Sequence, residues 1–102
     1  MTAINKYTEA QIEQIIKEHI VQNFMYDRPD GVLSNDLSII EEGLIDSLGI
    51  FRLASFLEEK FGITLNPEEF LLENFETVNV IKSFVISRLL QSLLPIPNYL
   101  LG

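Results

Sequence analysis

The sequence predicts an all-α fold: a bundle of four helices, with a long loop between helices 1 and 2 and a short third helix. Three observations carry this. Apolar residues recur at three- and four-residue steps in three stretches, from Ile12 to Phe24, from Leu48 to Phe61 and from Val78 to Leu89. Each stretch opens on cap-type residues, namely Thr8, Asp46-Ser47 and Thr77. No turn-separated run of alternating residues competes for a sheet. At 102 residues the chain has the size of one domain, and a hydrophobic share of 47% is ordinary for a globular one.

Helix 1 is expected over Thr8 to Phe24. Thr8 and Gln11 have capping-box spacing, Glu9 suits the first turn, and Ile12, Ile15, Ile16, Ile20 and Phe24 form the apolar stripe. From Tyr26 to Asp46 the periodicity stops. Asp27-Arg28-Pro29-Asp30-Gly31 and Ser34-Asn35-Asp36 are turn chemistry, but Leu33, Leu37, Ile39, Ile40, Leu44 and Ile45 are too apolar for a free linker. A loop packed on the core follows, and loops that long in small domains are usually functional. Helix 2 begins at Asp46-Ser47 and steps through Leu48, Phe51, Ala54, Leu57 and Phe61 to a stop at Gly62. The short third helix starts at Asn66-Pro67, buries Phe70, Leu71 and Leu72, and ends near Asn74. Helix 4 runs from Thr77 to about Leu93, where Pro95 and Pro97 forbid continuation.

Composition removes several functions. Seven basic residues against fifteen acidic ones give a net charge of −8, and the basic ones stand singly, so nucleic acid is not a partner. Cysteine is absent, which excludes disulfides, thiolate metal sites and a cysteine nucleophile. The polar start lacks a signal-peptide core, and the apolar run from Phe84 to Leu94 is broken by Ser87, Arg88, Gln91 and Ser92. It falls short of the ~18–20 residues that span a bilayer. A soluble, monomeric, cytoplasmic protein is the expectation.

Chemistry concentrates at Glu41-Glu42-Gly43-Leu44-Ile45-Asp46-Ser47-Leu48. Serine at a helix start can be a plain cap. It can also carry a modification, because a phosphate ester there faces unpaired backbone N–H groups and the positive end of the helix dipole. Asp46 would then offer a carboxylate to the metal ion that accompanies phosphoryl transfer.

Asp46-Ser47-Leu48 resembles the Asp-Ser-Leu signature of acyl carrier proteins. The likeness extends from about Thr8 to Leu89 through Glu42-Gly43-Leu44, Leu57-Glu58-Glu59-Lys60-Phe61-Gly62-Ile63, Asn66-Pro67-Glu68-Glu69-Phe70 and Phe75-Glu76-Thr77-Val78. The resemblance implies a non-catalytic carrier, with residues 1–94 as carrier domain and 95–102 as an apolar, Pro-containing tail. A phosphopantetheinyl transferase, using coenzyme A and Mg²⁺, would join 4′-phosphopantetheine to Ser47, assisted by Asp46. The arm's thiol would then hold acyl or aminoacyl cargo as a thioester for loading enzymes and downstream synthases in fatty-acid, polyketide or specialised biosynthesis. The family's fold also implies that apolar residues can part to shelter a fatty cargo.

The sequence departs from fatty-acid-type carriers just beyond the signature. Gly49, Ile50, Phe51 and Arg52 stand where acids are common in that family, and acids return only at Glu58 and Glu59. Gly43-Leu44-Ile45-Asp46-Ser47-Leu48-Gly49 is closer to free-standing carriers served by an adenylating enzyme, such as the D-alanyl carrier proteins. Nine acids between Glu41 and Glu76 face only Arg52 and Lys60, so basic enzyme surfaces are the expected partners. Glu42, Leu48, Ile50, Glu58 and Glu59 are the candidate partner-binding residues, with Asp46 beside them. Leu48 is also expected to anchor the helix start in the core, and Phe51 to lie in the core.

The rival readings are weaker. Ile45 stands where a hydrolase G-x-S-x-G elbow needs glycine, and His19, the sole histidine, lies among the apolar steps of helix 1. Asp27, Pro29 and Gly31 do not make a calcium loop. A helical interaction domain without a prosthetic group remains the alternative. The tail could pack on its own helices, dock to a partner or be a remnant of a longer assembly.

Overall fold

The computed structural model describes residues 7–25 and 33–93. The turn expected at Asp27–Gly31, the prolines expected to stop helix 4 and the tail at 95–102 lie outside the described residues. Among the described residues are three α-helices, α1 (Glu9–Phe24), α2 (Ser47–Phe61) and α3 (Val78–Leu93), and two short 3₁₀ turns, Pro67–Glu69 and Leu72–Phe75. The all-α expectation holds. The short third helix of the expected bundle does not form as an α-helix; its residues make the two 3₁₀ turns instead.

Sequence explains where each long helix starts. Thr8 caps α1 in a full capping box: its hydroxyl accepts from Gln11 N–H at 3.1 Å, and its own N–H donates to the Gln11 side chain at 2.9 Å. Thr77 Oγ1 accepts from Val80 N–H at 3.1 Å at the entry to α3. Gly62 closes α2 with φ of 68°, a left-handed value that costs a residue with a Cβ more than glycine.

Residues 66–75 behave differently from the short third helix the sequence suggests. Phe70, Leu71 and Leu72 are adjacent rather than spaced by three or four, so an α-helix would spread them over about 200° of its circumference instead of one face. The chain instead breaks at Leu71, which is extended, and only Phe75 enters the core. Leu71 and Leu72 are exposed. Asn74 Nδ2 donates to the Glu69 carbonyl at 2.9 Å and ties the two turns together.

One core joins all elements. Ile12, Ile16 and Ile20 of α1, Leu53, Ala54, Leu57 and Phe61 of α2, and Val78, Ile81, Val85 and Leu89 of α3 are buried around Phe75. Lys82 Nζ bonds Glu13 Oε1 at 3.0 Å across α1 and α3, and this bond chiefly holds the Glu13 carboxyl below its usual value. The described part of the long loop lies on this core, as its composition demands, with Leu33, Ile39, Leu44 and Ile45 buried. The Ile39 N–H donates to the Glu76 carbonyl at 2.9 Å, while its own carbonyl accepts from Leu44 and Ile45 at 2.9 and 3.2 Å. Asn79 adds a backbone bond to Asn35 at 3.1 Å and a side-chain bond to Asp36 at 2.7 Å. These bonds fasten the loop to the start of α3, and the loop delivers Asp46 to the start of α2.

Candidate functional site

The start of α2 separates two tasks between neighbours. Asp46 is extended and caps the helix, its Oδ1 accepting from Gly49 N–H at 2.8 Å. Ser47 is therefore the first helical residue and is not used as the cap. It is exposed, and among the described residues its hydroxyl makes no hydrogen bond. A free hydroxyl thus projects at the helix N-terminus, where unpaired N–H groups and the dipole favour a negative group.

Gly49 explains itself in the structure. A Cβ there would lie 2.6 Å from Ile45 Cγ1, 3.1 Å from Phe24 Cε1 and 3.3 Å from Asp46 Oδ1. The missing side chain lets the loop and the end of α1 close against α2, which outweighs the ~0.5–1 kcal/mol helix penalty of glycine. Gly43, with φ of 72°, supplies the turn just before.

The candidate partner residues sort unequally. Glu42 and Glu59 are exposed, as a docking role requires. Glu58 is half-buried and its Oε2 accepts from Leu65 N–H at 2.8 Å, so its carboxylate fastens the segment after α2. Ile50 is only 3% exposed and belongs to the core. Leu48 and Phe51 reverse the expectation of core anchoring, at 69% and 54% exposed. The helical phase explains this: with Ile50, Leu53, Ala54 and Leu57 facing inward, positions 48 and 51 fall on the outer side. Phe51 is not isolated, since its ring lies 5.0 Å from that of Phe70.

An open cleft of about 320 Å³ adjoins the helix start. Asp46 and Leu48, the two chain neighbours of Ser47, both line it, together with Gly49, Arg52, Asn23 and Phe24. The Arg52 guanidinium sits 5.5 Å from the Phe24 ring centre, a cation–π contact. A cation within reach of an aromatic in another helix leaves no mark on one-dimensional spacing.

His19 stays structural. Its ring stacks on Phe56 at 3.7 Å and bonds to the Asn23 side chain, and burial lowers its pKa, with the Arg52 charge adding to the effect. No bond joins it to Ser47 among the described residues, so no serine–histidine pair forms. Nor do the described residues contain a group of three or more His, Cys, Asp or Glu side chains placed to hold a metal. No described helix is long and apolar enough to cross a membrane.

Residues 14–85 match the family model of the phosphopantetheine attachment site, and Ser47 lies inside that segment. The chain is similar to a D-alanyl carrier protein of Bacillus velezensis, with 43% identity over 51 residues, which is 49% of this chain and 65% of that protein. A D-alanyl carrier protein of Abiotrophia defectiva is 34% identical over 53 residues, covering 52% of this chain and 67% of its own length. The chain thus spans about two thirds of the length of these relatives. No solved structure matches it at a significant level. The chain belongs to the phosphopantetheine-binding carrier protein family, whose cofactor is covalently attached 4′-phosphopantetheine.

Proposed function

We propose that Ser47 is the attachment point of the arm and that the cargo is an aminoacyl group, with D-alanyl the first candidate, loaded by an adenylating enzyme. Similarity to two D-alanyl carrier proteins is the observation that carries the cargo assignment. Ser47 suits the arm because its hydroxyl is exposed and bonded to nothing among the described residues, while Asp46 already satisfies the helix start. When bound, the arm supplies a thiol that holds cargo as a thioester. The protein's own residues present it: Asp46 fixes the helix start, and Glu42, Leu48, Phe51 and Glu59 stand exposed around or along α2 for partner enzymes to grip. The chain itself is non-catalytic, works as a monomer in the cytoplasm, and meets a phosphopantetheinyl transferase, its loading enzyme and the acceptor of the cargo.

The lack of acids on the first turns of α2 supports the aminoacyl reading over a fatty-acid carrier. Apolar Leu48 and Phe51 and cationic Arg52 there suit a partner that contributes apolar surface, not one that relies on a basic patch. Mass spectrometry tests both parts. Incubation with coenzyme A, Mg²⁺ and a transferase should add ~340 Da to the intact protein and nothing to Ser47→Ala. A D-alanine-specific adenylating enzyme with ATP should then add one alanyl group. An equal gain by Ser47→Ala overturns the attachment point, and loading by a fatty-acyl enzyme alone overturns the cargo.

A further inference from the structure

The cleft beside Ser47 has a composition that the attachment of an arm does not by itself require. Arg52 is the only cation between Asp46 and Lys60 in a chain of net charge −8. Acids are plentiful, yet among the described residues Arg52 forms no ion pair, whereas Lys82 and Arg88 both do, with Glu13 and Glu69. Its guanidinium is instead positioned by the face of Phe24 at the edge of the cleft. Asn23 lines the same cleft. Its Nδ2 donates to the His19 carbonyl at 2.9 Å, which orients the amide and leaves Oδ1 without a donor among the described residues. The remaining walls include the apolar side chains of Leu44, Ile45, Leu48 and Phe24.

We propose that this cleft between the end of α1 and the start of α2 is a resting site for the phosphopantetheine arm, with Arg52 facing the phosphodiester and Asn23 accepting from an arm amide. The inference rests on Ser47 as the attachment point. The arm offers an anion nearest the anchor, then a branched apolar carbon, then amides; the cleft offers a guanidinium, apolar walls and an amide oxygen, while the Asp46 carboxylate that also lines it has its Oδ1 turned to Gly49 N–H. The cleft's volume of about 320 Å³ is at the small end of ligand pockets, which run to roughly 300–1,000 Å³, and suits a slender chain. Tethering removes most of the association cost, because an arm anchored between two lining residues is always at high local concentration. The site is open and its single cation exposed, so the arm rests there and leaves readily for an enzyme.

Nuclear magnetic resonance of the full chain before and after modification tests this. Conversion to the modified form, verified by mass, should shift the Asn23 side-chain amide, the Gly49 backbone amide and the Arg52 side-chain Nε–H. Arg52→Gln should return the Asn23 signal toward its unmodified position and speed alkylation of the arm thiol about two- to fivefold, the range of an exposed charged contact. Arg52→Lys should restore part of the protection. Shifts confined to residues 46–48, or spread over the outer α2 face at Phe51 and Phe70, would overturn the resting site, as would an alkylation rate that Arg52→Gln leaves unchanged. Unaltered amide spectra elsewhere in Arg52→Gln show that the fold is kept. Absence of any mass gain would instead strike at Ser47 as the anchor, so the two failures are told apart.

Discussion

Both halves of α2 are rich in apolar residues, and they divide the labour. From Ala54 to Phe61 the apolar side chains Ala54, Leu57 and Phe61 are buried, and even the carboxylate of Glu58 is spent on Leu65 N–H. From Ser47 to Arg52, Leu48 and Phe51 face outward, Ser47 and Arg52 are exposed, and the Arg52 guanidinium lies over the face of Phe24. In the later half the apolar side chains and one carboxylate are tied into the fold; the earlier half is held from below by Ile50 and Gly49 and left open above. The lesson is that hydrophobicity in this helix marks two destinations, core and partner, and only the helical phase separates them.

Mutations can break that contrast or sharpen it. Leu57→Ala, in the fastened half, should cost about 2–5 kcal/mol in a denaturant titration, the range for a large-to-small change at a fully buried site. Gly49→Ala is the exception expected in the open half. The clash with Ile45 and Phe24 should cost about 1–3 kcal/mol despite the better helix propensity of alanine, and a neutral result would show that the loop yields there. Glu58→Ala should lower stability by about 1 kcal/mol while leaving loading rates at the native value, since the carboxylate binds Leu65 N–H; slowed loading with unchanged stability would return Glu58 to the partner surface. Leu48→Ser should change stability by less than about 0.5 kcal/mol and yet raise the KM of the loading enzyme for the carrier, measured by steady-state loading.

Local signals in the sequence were sufficient for much of the fold. Thr8 with Gln11, Gly62 after Phe61 and Thr77 before Val78 each act within one turn of chain, so spacing alone locates them. Asp46-Ser47 before the second apolar stripe locates the start of α2 in the same way. What spacing could not show depends on the third dimension. Leu48, Ile50 and Phe51 all look apolar in a row, and their fates follow from how α2 is turned against α1 and α3. Glu58 is indistinguishable from Glu59 until Leu65 folds back to it across seven positions. The segment from Phe70 to Leu72 satisfied helix-start rules but lacked a stripe, and the extended Leu71 breaks it.

Because Asp46 rather than Ser47 caps α2, the serine hydroxyl is dispensable to the architecture. Ser47→Ala is then a faithful replica with its chemistry removed. Such a replica keeps the outer face of Leu48, Phe51 and Glu59 and, under the function proposed above, still engages the loading enzyme without ever accepting a charge. Mixed with the native protein, it acts as a decoy whose inhibition rises with its share of the pool, a dominant effect built into the separation of one hydroxyl from one carboxylate.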